Sequence, residues 1–156
     1  MAELDTNPQA TSVPFSVLIV DDDDVATEGV LRSFRKSQIN CATVTAEDGL
    51  EALEVLRGQN PAKSIDEPMI ILLDLNMPRM NGFEFLEALR ADEALRSKVV
   101  FVLTTSARDT DMARAYAENI AGYMVKSSVG PQFSRLASFL GKYAEAVKLP
   151  GAHRAV

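Results

Sequence analysis

Tryptophan is absent, and cysteine and histidine occur once each in a chain of 156 residues. A single thiol, Cys41, excludes an internal disulfide and suits a reducing compartment. It falls in a strand-like run, which reads as a buried structural thiol rather than a reactive one. The one histidine, His153, sits in a polar tail next to Arg154, so Ser–His, Cys–His and multi-histidine metal chemistry fall away. No apolar run approaches the ~18 residues of a membrane-spanning helix. Residues 1–14 have neither the basic start nor the apolar centre of a secretory signal, which leaves the cytoplasm as the expected location. Positive charge is also scarce. Sixteen Lys and Arg stand against 22 Asp and Glu, a net charge of −6 that argues against nonspecific nucleic-acid binding.

What remains is enough for one packed domain: 47% of residues are hydrophobic and 24% are charged. Strand-like apolar runs occur at residues 16–20, 40–45, 69–73, 99–103 and 122–125. Helical patterns alternate with them. Residues 25–36 place Val25, Gly29, Leu31, Arg32, Phe34 and Arg35 on a mixed amphipathic surface. The helix opened by Asp48 and Gly49 turns Leu50, Leu53, Val55 and Leu56 inward. Residues 82–90 carry Phe83, Phe85, Leu86 and Leu89, and residues 109–118 carry Met112, Ala113, Tyr116 and Ala117. The last pattern has the clearest period, with Phe133, Leu136, Ala137, Leu140, Tyr143, Ala144 and Val147 three or four apart, and it is expected to run to Leu149–Pro150 with Pro131 near its first turn. Five β/α units whose strands lack strict alternation predict a doubly wound five-stranded parallel sheet covered by helices on both faces. The expected body is residues 15–148, flanked by a flexible tail at 1–14 and a C-terminal tail at 149–156.

Chemistry-bearing side chains cluster where the strands end. The first strand runs into Asp21-Asp22-Asp23-Asp24, the third into Asp74, the fourth into Thr104-Thr105-Ser106 and the fifth into Lys126. Unpaired charge is costly to bury, so Asp74 belongs at the rim where its strand leaves the core. In a doubly wound sheet such ends converge on one crevice. Carboxylates from two strands offer the hard oxygen ligands that Mg²⁺ takes, and a hydroxyl and an ammonium beside them suit phosphoryl oxygens. Asp23 and Asp24 read instead as caps of the helix that follows.

Taken together, Val20-Asp21-Asp22, Leu73 to Gly82 with its Asp74-Leu75-Asn76-Met77-Pro78 start, Leu103-Thr104-Thr105-Ser106 and Gly122-Tyr123-Met124-Val125-Lys126 resemble the receiver domains of two-component response regulators, in particular stand-alone receivers that serve sensor kinases such as bacterial phytochromes. That resemblance covers residues 15–147 and implies the (βα)5 flavodoxin-like receiver fold. It implies that Asp74 accepts phosphate from a sensor histidine kinase or histidine phosphotransferase. It also implies that Mg²⁺ is bound by Asp22, Asp74 and the backbone carbonyl of Asn76, with Asp21 acting directly or through a metal-bound water. Lys126 would pair with the phosphoryl group and Thr104 would hydrogen-bond to it. Thr104 and Tyr123 would form the switch, signalling through a surface made by the fourth helix, fifth strand and fifth helix. A homodimer through that face or through the C-terminal helix is expected, with no nucleic-acid or membrane partner and no attached output domain. The domain would be no enzyme beyond its own phosphoryl transfer and dephosphorylation.

One position departs from the family: Ser127 follows Lys126 where receivers usually carry proline, which leaves the Lys126–Ser127 bond and the placement of Lys126 open. Two other readings compete. A pseudo-receiver would bind partners without taking phosphate. A dehalogenase-like phosphatase would also use a strand-end aspartate with Mg²⁺, but wants a second acid where this chain has Asn76.

Overall fold

The computed structural model describes residues 14–151. The expected tail at 1–14 and His153 therefore lie outside the described residues, apart from Pro14. Five strands, β1 (Phe15–Val20), β2 (Cys41–Ala46), β3 (Met69–Leu73), β4 (Val99–Thr104) and β5 (Gly122–Val125), alternate with five helices. These are α1 (Asp24–Ser37), α2 (Gly49–Leu56), α3 (Gly82–Ala91), α4 (Asp109–Tyr116) and α5 (Leu136–Ala146). The sheet is parallel throughout in the order β2-β1-β3-β4-β5. The chain thus winds one way from β1 to β2 and the other way from β1 through β3 to β5. The direction reverses at the β1/β3 pair, whose carboxyl ends border the crevice where such sheets bind ligands.

Alternate residues of the central strands feed two cores. Leu18, Val20, Ile71, Leu73, Val100 and Val102 pack with Leu53, Phe85, Leu86 and Leu89 on one face. Val17, Ile19, Ile70, Leu72, Phe101 and Leu103 pack with Val30, Phe34, Leu136 and Leu140 on the other. Burial on both faces is why these strands read as unbroken apolar runs. The helix ends follow local chemistry. Asp23 caps α1 by accepting the Val25 and Ala26 N–H groups, and Asn81 and Glu84 form a reciprocal capping box at α3.

Several expectations are corrected. Of the mixed amphipathic surface expected at α1, only Phe34 is buried, joined by Ala26, Val30 and Ser33, while Val25 is 82% exposed. Leu50 is exposed, whereas Ala52, Leu53 and Val55 face inward. In α4 only Ala115 is buried, and Tyr116 is exposed. Cys41 is half-buried rather than buried, and desolvation pushes its thiol up to about 11, so it stays protonated.

The largest correction is at the last helix. Pro131 and Phe133 lie outside it, in a 3-10 turn (Pro131–Phe133) that follows another at Lys126–Ser128. The backbone is left-handed at Gly130, Gln132 and Phe133 (φ 86°, 55° and 60°), which no α-helix permits. Phe133 is held there by α1: its ring lies where a side chain on Gly29 would stand, and its carbonyl accepts the Ser33 hydroxyl at 2.8 Å. At the other end Val147 is extended and half-exposed, and the chain turns so that Leu149 is buried in the α1/α5 core. Proline at 150 disfavours helical geometry at residue 149, so the helix could not have continued to Leu149–Pro150.

Candidate functional site

Strand register brings the expected residues to one rim. Val20 pairs with Leu73, Leu73 with Val102 and Thr104 with Val125, so Asp21 and Asp74 stand level and Thr104 and Lys126 lie on the adjoining strand ends. The ladder continues into the acids: the Asp21 N–H donates to the Ala46 carbonyl (3.0 Å) and the Asp74 N–H to the Val20 carbonyl (2.9 Å). Both residues are therefore held by backbone, and both are buried, at 9% and 7% exposure. Asp22 is exposed beside them. One carboxylate oxygen from each of Asp21, Asp22 and Asp74 lies within 4.8 Å of the others.

Each oxygen has a direction. Asp74 Oδ1 accepts the Leu75 N–H at 2.8 Å, which leaves Oδ2 toward Lys126, whose Nζ is 3.9 Å away. Lys126 Nζ donates to Asp21 Oδ2 at 2.8 Å, and Asp21 Oδ1 accepts the Asp23 N–H at 2.9 Å. Burial pulls the Lys126 ammonium toward neutrality, but Asp21, Asp74 and Asp23 outweigh it and hold its pKa above the usual lysine value. Asp21 moves up as well. Burial is the main cause and the neighbouring Asp74 charge adds to it, against the bonds from Lys126 and Asp23. Three carboxylates facing one ammonium leave a local excess of negative charge. That donor set and charge fit a hard divalent cation.

The loop after Asp74 is closed tightly. The Gly82 N–H donates to the Leu75 carbonyl, and a side chain at Gly82 would meet the Asp74 carbonyl at 2.5 Å and Leu75 Cα at 2.7 Å. Arg79, left-handed at φ 61°, reaches from this loop to Asp48, the cap of α2, with Nε 2.6 Å from Oδ2. Asp48 is buried, which would raise its pKa, but Arg79 and the Glu51 and Leu50 N–H groups overcome this and hold it low. Asn76 is exposed within the loop.

Thr104 has no exposed surface, and its Oγ1 faces the Ser106 N–H at 3.4 Å, a long contact. Tyr123 is half-buried against the α2/α3 core and donates its hydroxyl to the Ser106 carbonyl at 3.0 Å. The only cis peptide among the described residues is Glu67–Pro68, so Lys126–Ser127 is trans and Lys126 still reaches the acids.

The structure brings the expected Asp21, Asp22, Asp74 and Lys126 together, with Thr104 buried at the end of the neighbouring strand. The direct Asp21–Lys126 pair, the Arg79–Asp48 brace and the closure at Gly82 were not expected from the sequence. Only the Asn81-x-x-Glu84 capping signature, which ends the loop, was available as a local signal.

The chain matches the response regulator receiver domain over residues 17–135. It is 30% identical over 140 residues to response regulator Rcp1 of Synechocystis sp., spanning 89% of this chain and 95% of that protein. It is 34% identical over 114 residues to the probable methanogenesis regulatory protein FilR2 of Methanothrix harundinacea, 72% of each chain. Among solved structures, the Mn(2+)-bound form of Rcp1 superposes with a TM-score of 0.77 at 29% identity, covering 87% of this chain and 99% of that one. The phosphorylated cyanobacterial phytochrome response regulator RcpA follows with a TM-score of 0.75 at 27% identity, covering 87% and 98%. With the fold, the strand-end constellation and these similarities in agreement, the chain belongs to the receiver domains of two-component response regulators.

Proposed function

We propose that this domain accepts a phosphoryl group on Asp74 from the phosphohistidine of a sensor histidine kinase or histidine phosphotransferase, with Mg²⁺ as its cofactor. The observation that carries this is the buried Asp74 carboxylate, one oxygen tied to Leu75 N–H and the other directed toward Lys126, grouped with Asp21 and Asp22. The neighbouring structures named for bound Mn(2+) and for phosphorylation share the fold and lend support.

Asp74 Oδ2 is the nucleophile. A P–O bond forms as the P–N bond to the donor imidazole breaks, and the freed imidazole nitrogen takes a proton from solvent. A carboxylate is a weak nucleophile, so positioning and charge neutralisation provide the acceleration. Lys126, held protonated among the acids, supplies positive charge to the transferring oxygens. The Thr104 hydroxyl donates to one of those oxygens. Asp22, Asp74 and the Asn76 carbonyl would hold the cation, with Asp21 a ligand directly or through water. A divalent cation held there would supply positive charge that offsets the repulsion between the carboxylates and toward an anionic donor. The surface formed by α4, β5 and α5 carries the signal to a partner or to a second copy of the chain in the cytoplasm.

Incubation with acetyl phosphate and Mg²⁺, followed by intact mass, tests the proposal. Wild type gains one phosphoryl group and Asp74→Asn gains none. Equal modification of both proteins rules it out, and no modification of either favours the pseudo-receiver reading.

A further inference from the structure

The segment that follows Asp74 is held firmly at its two ends and hardly at all between them. At the start, the Leu75 N–H binds Asp74 Oδ1 and the Leu75 carbonyl accepts the Gly82 N–H. At the far side the segment rests on the first turn of α2. The Gly49 N–H donates to the Met80 carbonyl at 3.0 Å, and the Met80 thioether lies where a side chain on Gly49 would stand. Arg79 Nε donates to Asp48 Oδ2 at 2.6 Å. Asn76, between these supports, is exposed and makes no hydrogen bond among the described residues.

Two features set the Arg79–Asp48 pair apart from an ordinary surface pair. Arg79 is left-handed at φ 61°, a conformation that costs a residue with a side chain, and such positions persist where the surroundings demand them. The pair is also lopsided: the Arg79 side chain is 61% exposed, whereas that of Asp48 is 5% exposed. Removing Arg79 therefore leaves a buried charge without its partner, a larger loss than an exposed pair gives. The anchor is itself fixed to the sheet. Asp48 Oδ1 accepts the Glu51 N–H, Glu51 pairs with Lys63 at 2.8 Å, and the Lys63 ammonium also donates to the Thr45 carbonyl near the end of β2.

We infer that the Arg79–Asp48 pair fixes the peptide that carries the Asn76 carbonyl, and that Arg79 and Asp48 are positioning residues for the divalent cation. This rests on the cation role proposed above for Asp22, Asp74 and Asn76. Mg²⁺ demands near-octahedral geometry, so a ligand peptide with no bonds of its own has to be set by its neighbours. Loss of such an outer support weakens metal binding by about tenfold or more. Charge acts in the opposite direction. Arg79 is positive, and its removal alone would favour a cation at the acids. The two effects on affinity differ in sign, so the direction of the change separates them.

Calorimetric titration of the metal-free protein with Mg²⁺ gives the dissociation constant without phosphoryl transfer. Arg79→Met weakens binding about tenfold. Arg79→Gly, which takes the left-handed backbone freely, weakens it as much with the fold intact. Arg79→Lys, which keeps a charge opposite Asp48, stays nearer to wild type than to Arg79→Met. Asp48→Asn, which keeps the cap and loses the charge, weakens binding like Arg79→Met, and the double variant is no weaker than either alone. In the metal-free protein, amide hydrogen exchange at Gly49 is faster in Arg79→Met than in wild type, because the Met80 carbonyl no longer stays on that N–H. Binding by Arg79→Met at or above wild-type affinity, or an unchanged Gly49 amide, overturns the inference while leaving the cation reading intact. Equal losses in Arg79→Lys and Arg79→Met overturn the ion pair as the cause. Failure of the wild type to bind Mg²⁺ overturns the cation reading and the inference with it.

Discussion

Gly82→Ala is a single added methyl whose effect can be worked out from opposing contributions. At the first position of α3, alanine would ordinarily help, by up to about 1 kcal/mol over glycine within a helix. Here the new Cβ would stand 2.5 Å from the Asp74 carbonyl oxygen and 2.7 Å from Leu75 Cα. Both are backbone atoms pinned by neighbours: the Asp74 N–H is bonded to Val20, and the Leu75 carbonyl accepts the Gly82 N–H itself. No flexible side chain can yield, so the loop must move. Overpacking of this kind costs about 1–3 kcal/mol. Two close backbone contacts place the cost near the middle of that range, about 2 kcal/mol, and a helical gain of up to about 1 kcal/mol leaves a net loss of about 1–2 kcal/mol. In urea, at a slope of about 1.5 kcal/mol/M, the midpoint falls by about 1 M with the slope unchanged, measured without Mg²⁺ so that cation binding adds nothing. The displaced loop carries Asp74 and Asn76, so phosphoryl uptake from acetyl phosphate slows as well. A midpoint equal to or above wild type, with normal uptake, would refute the account of how this loop is closed.

Asp48→Ala removes the α2 cap and the Arg79 brace, and should cost about 1–2 kcal/mol in the same titration. Because Asp48 is held below the ordinary carboxylate value when folded, its contribution is full above the unfolded pKa of about 4 and fades as pH falls through the folded value. The wild-type advantage over Asp48→Asn, which keeps the cap but not the charge, should shrink below pH 4. Asp21 has the opposite sign: its folded pKa is raised, so its charge opposes folding above that value, and the wild-type deficit relative to Asp21→Asn should lessen as pH drops through it. Mg²⁺ should stabilise wild type by about 2.7 kcal/mol at a hundred times its dissociation constant, read as a rise in melting temperature, and Asp22→Asn should lose most of that rise. Solution mass with and without beryllofluoride tests pairing through the α4–β5–α5 face or the C-terminal helix. An unchanged monomer in both states would exclude a phosphorylation-driven homodimer.

The sheet was legible because its central strands are buried on both faces, which turns Val17–Val20 and Met69–Leu73 into apolar runs whose ends mark the rim. The site was legible for the same reason, since charge placed directly after such a run has to emerge there. Where periodicity failed, it failed physically. Phe133 keeps the apolar spacing of α5 and packs partly against the same core, yet its backbone is left-handed. Spacing reports which side of the chain is buried, not which dihedral angles place it there. The Asp21–Lys126 and Arg79–Asp48 pairs join residues whose proximity depends on strand order or on a loop meeting a helix of another unit. Neither leaves a local trace in composition or spacing.

The central claim is that Asp74 carries the phosphoryl group. After reaction with acetyl phosphate and Mg²⁺, borohydride reduces an acyl phosphate to the corresponding alcohol, and peptide mapping locates the reduced side chain. The predicted result is reduction at residue 74 alone, absent in Asp74→Asn. Reduction at Asp21 or Asp22 in the wild-type protein, with residue 74 untouched, would contradict it.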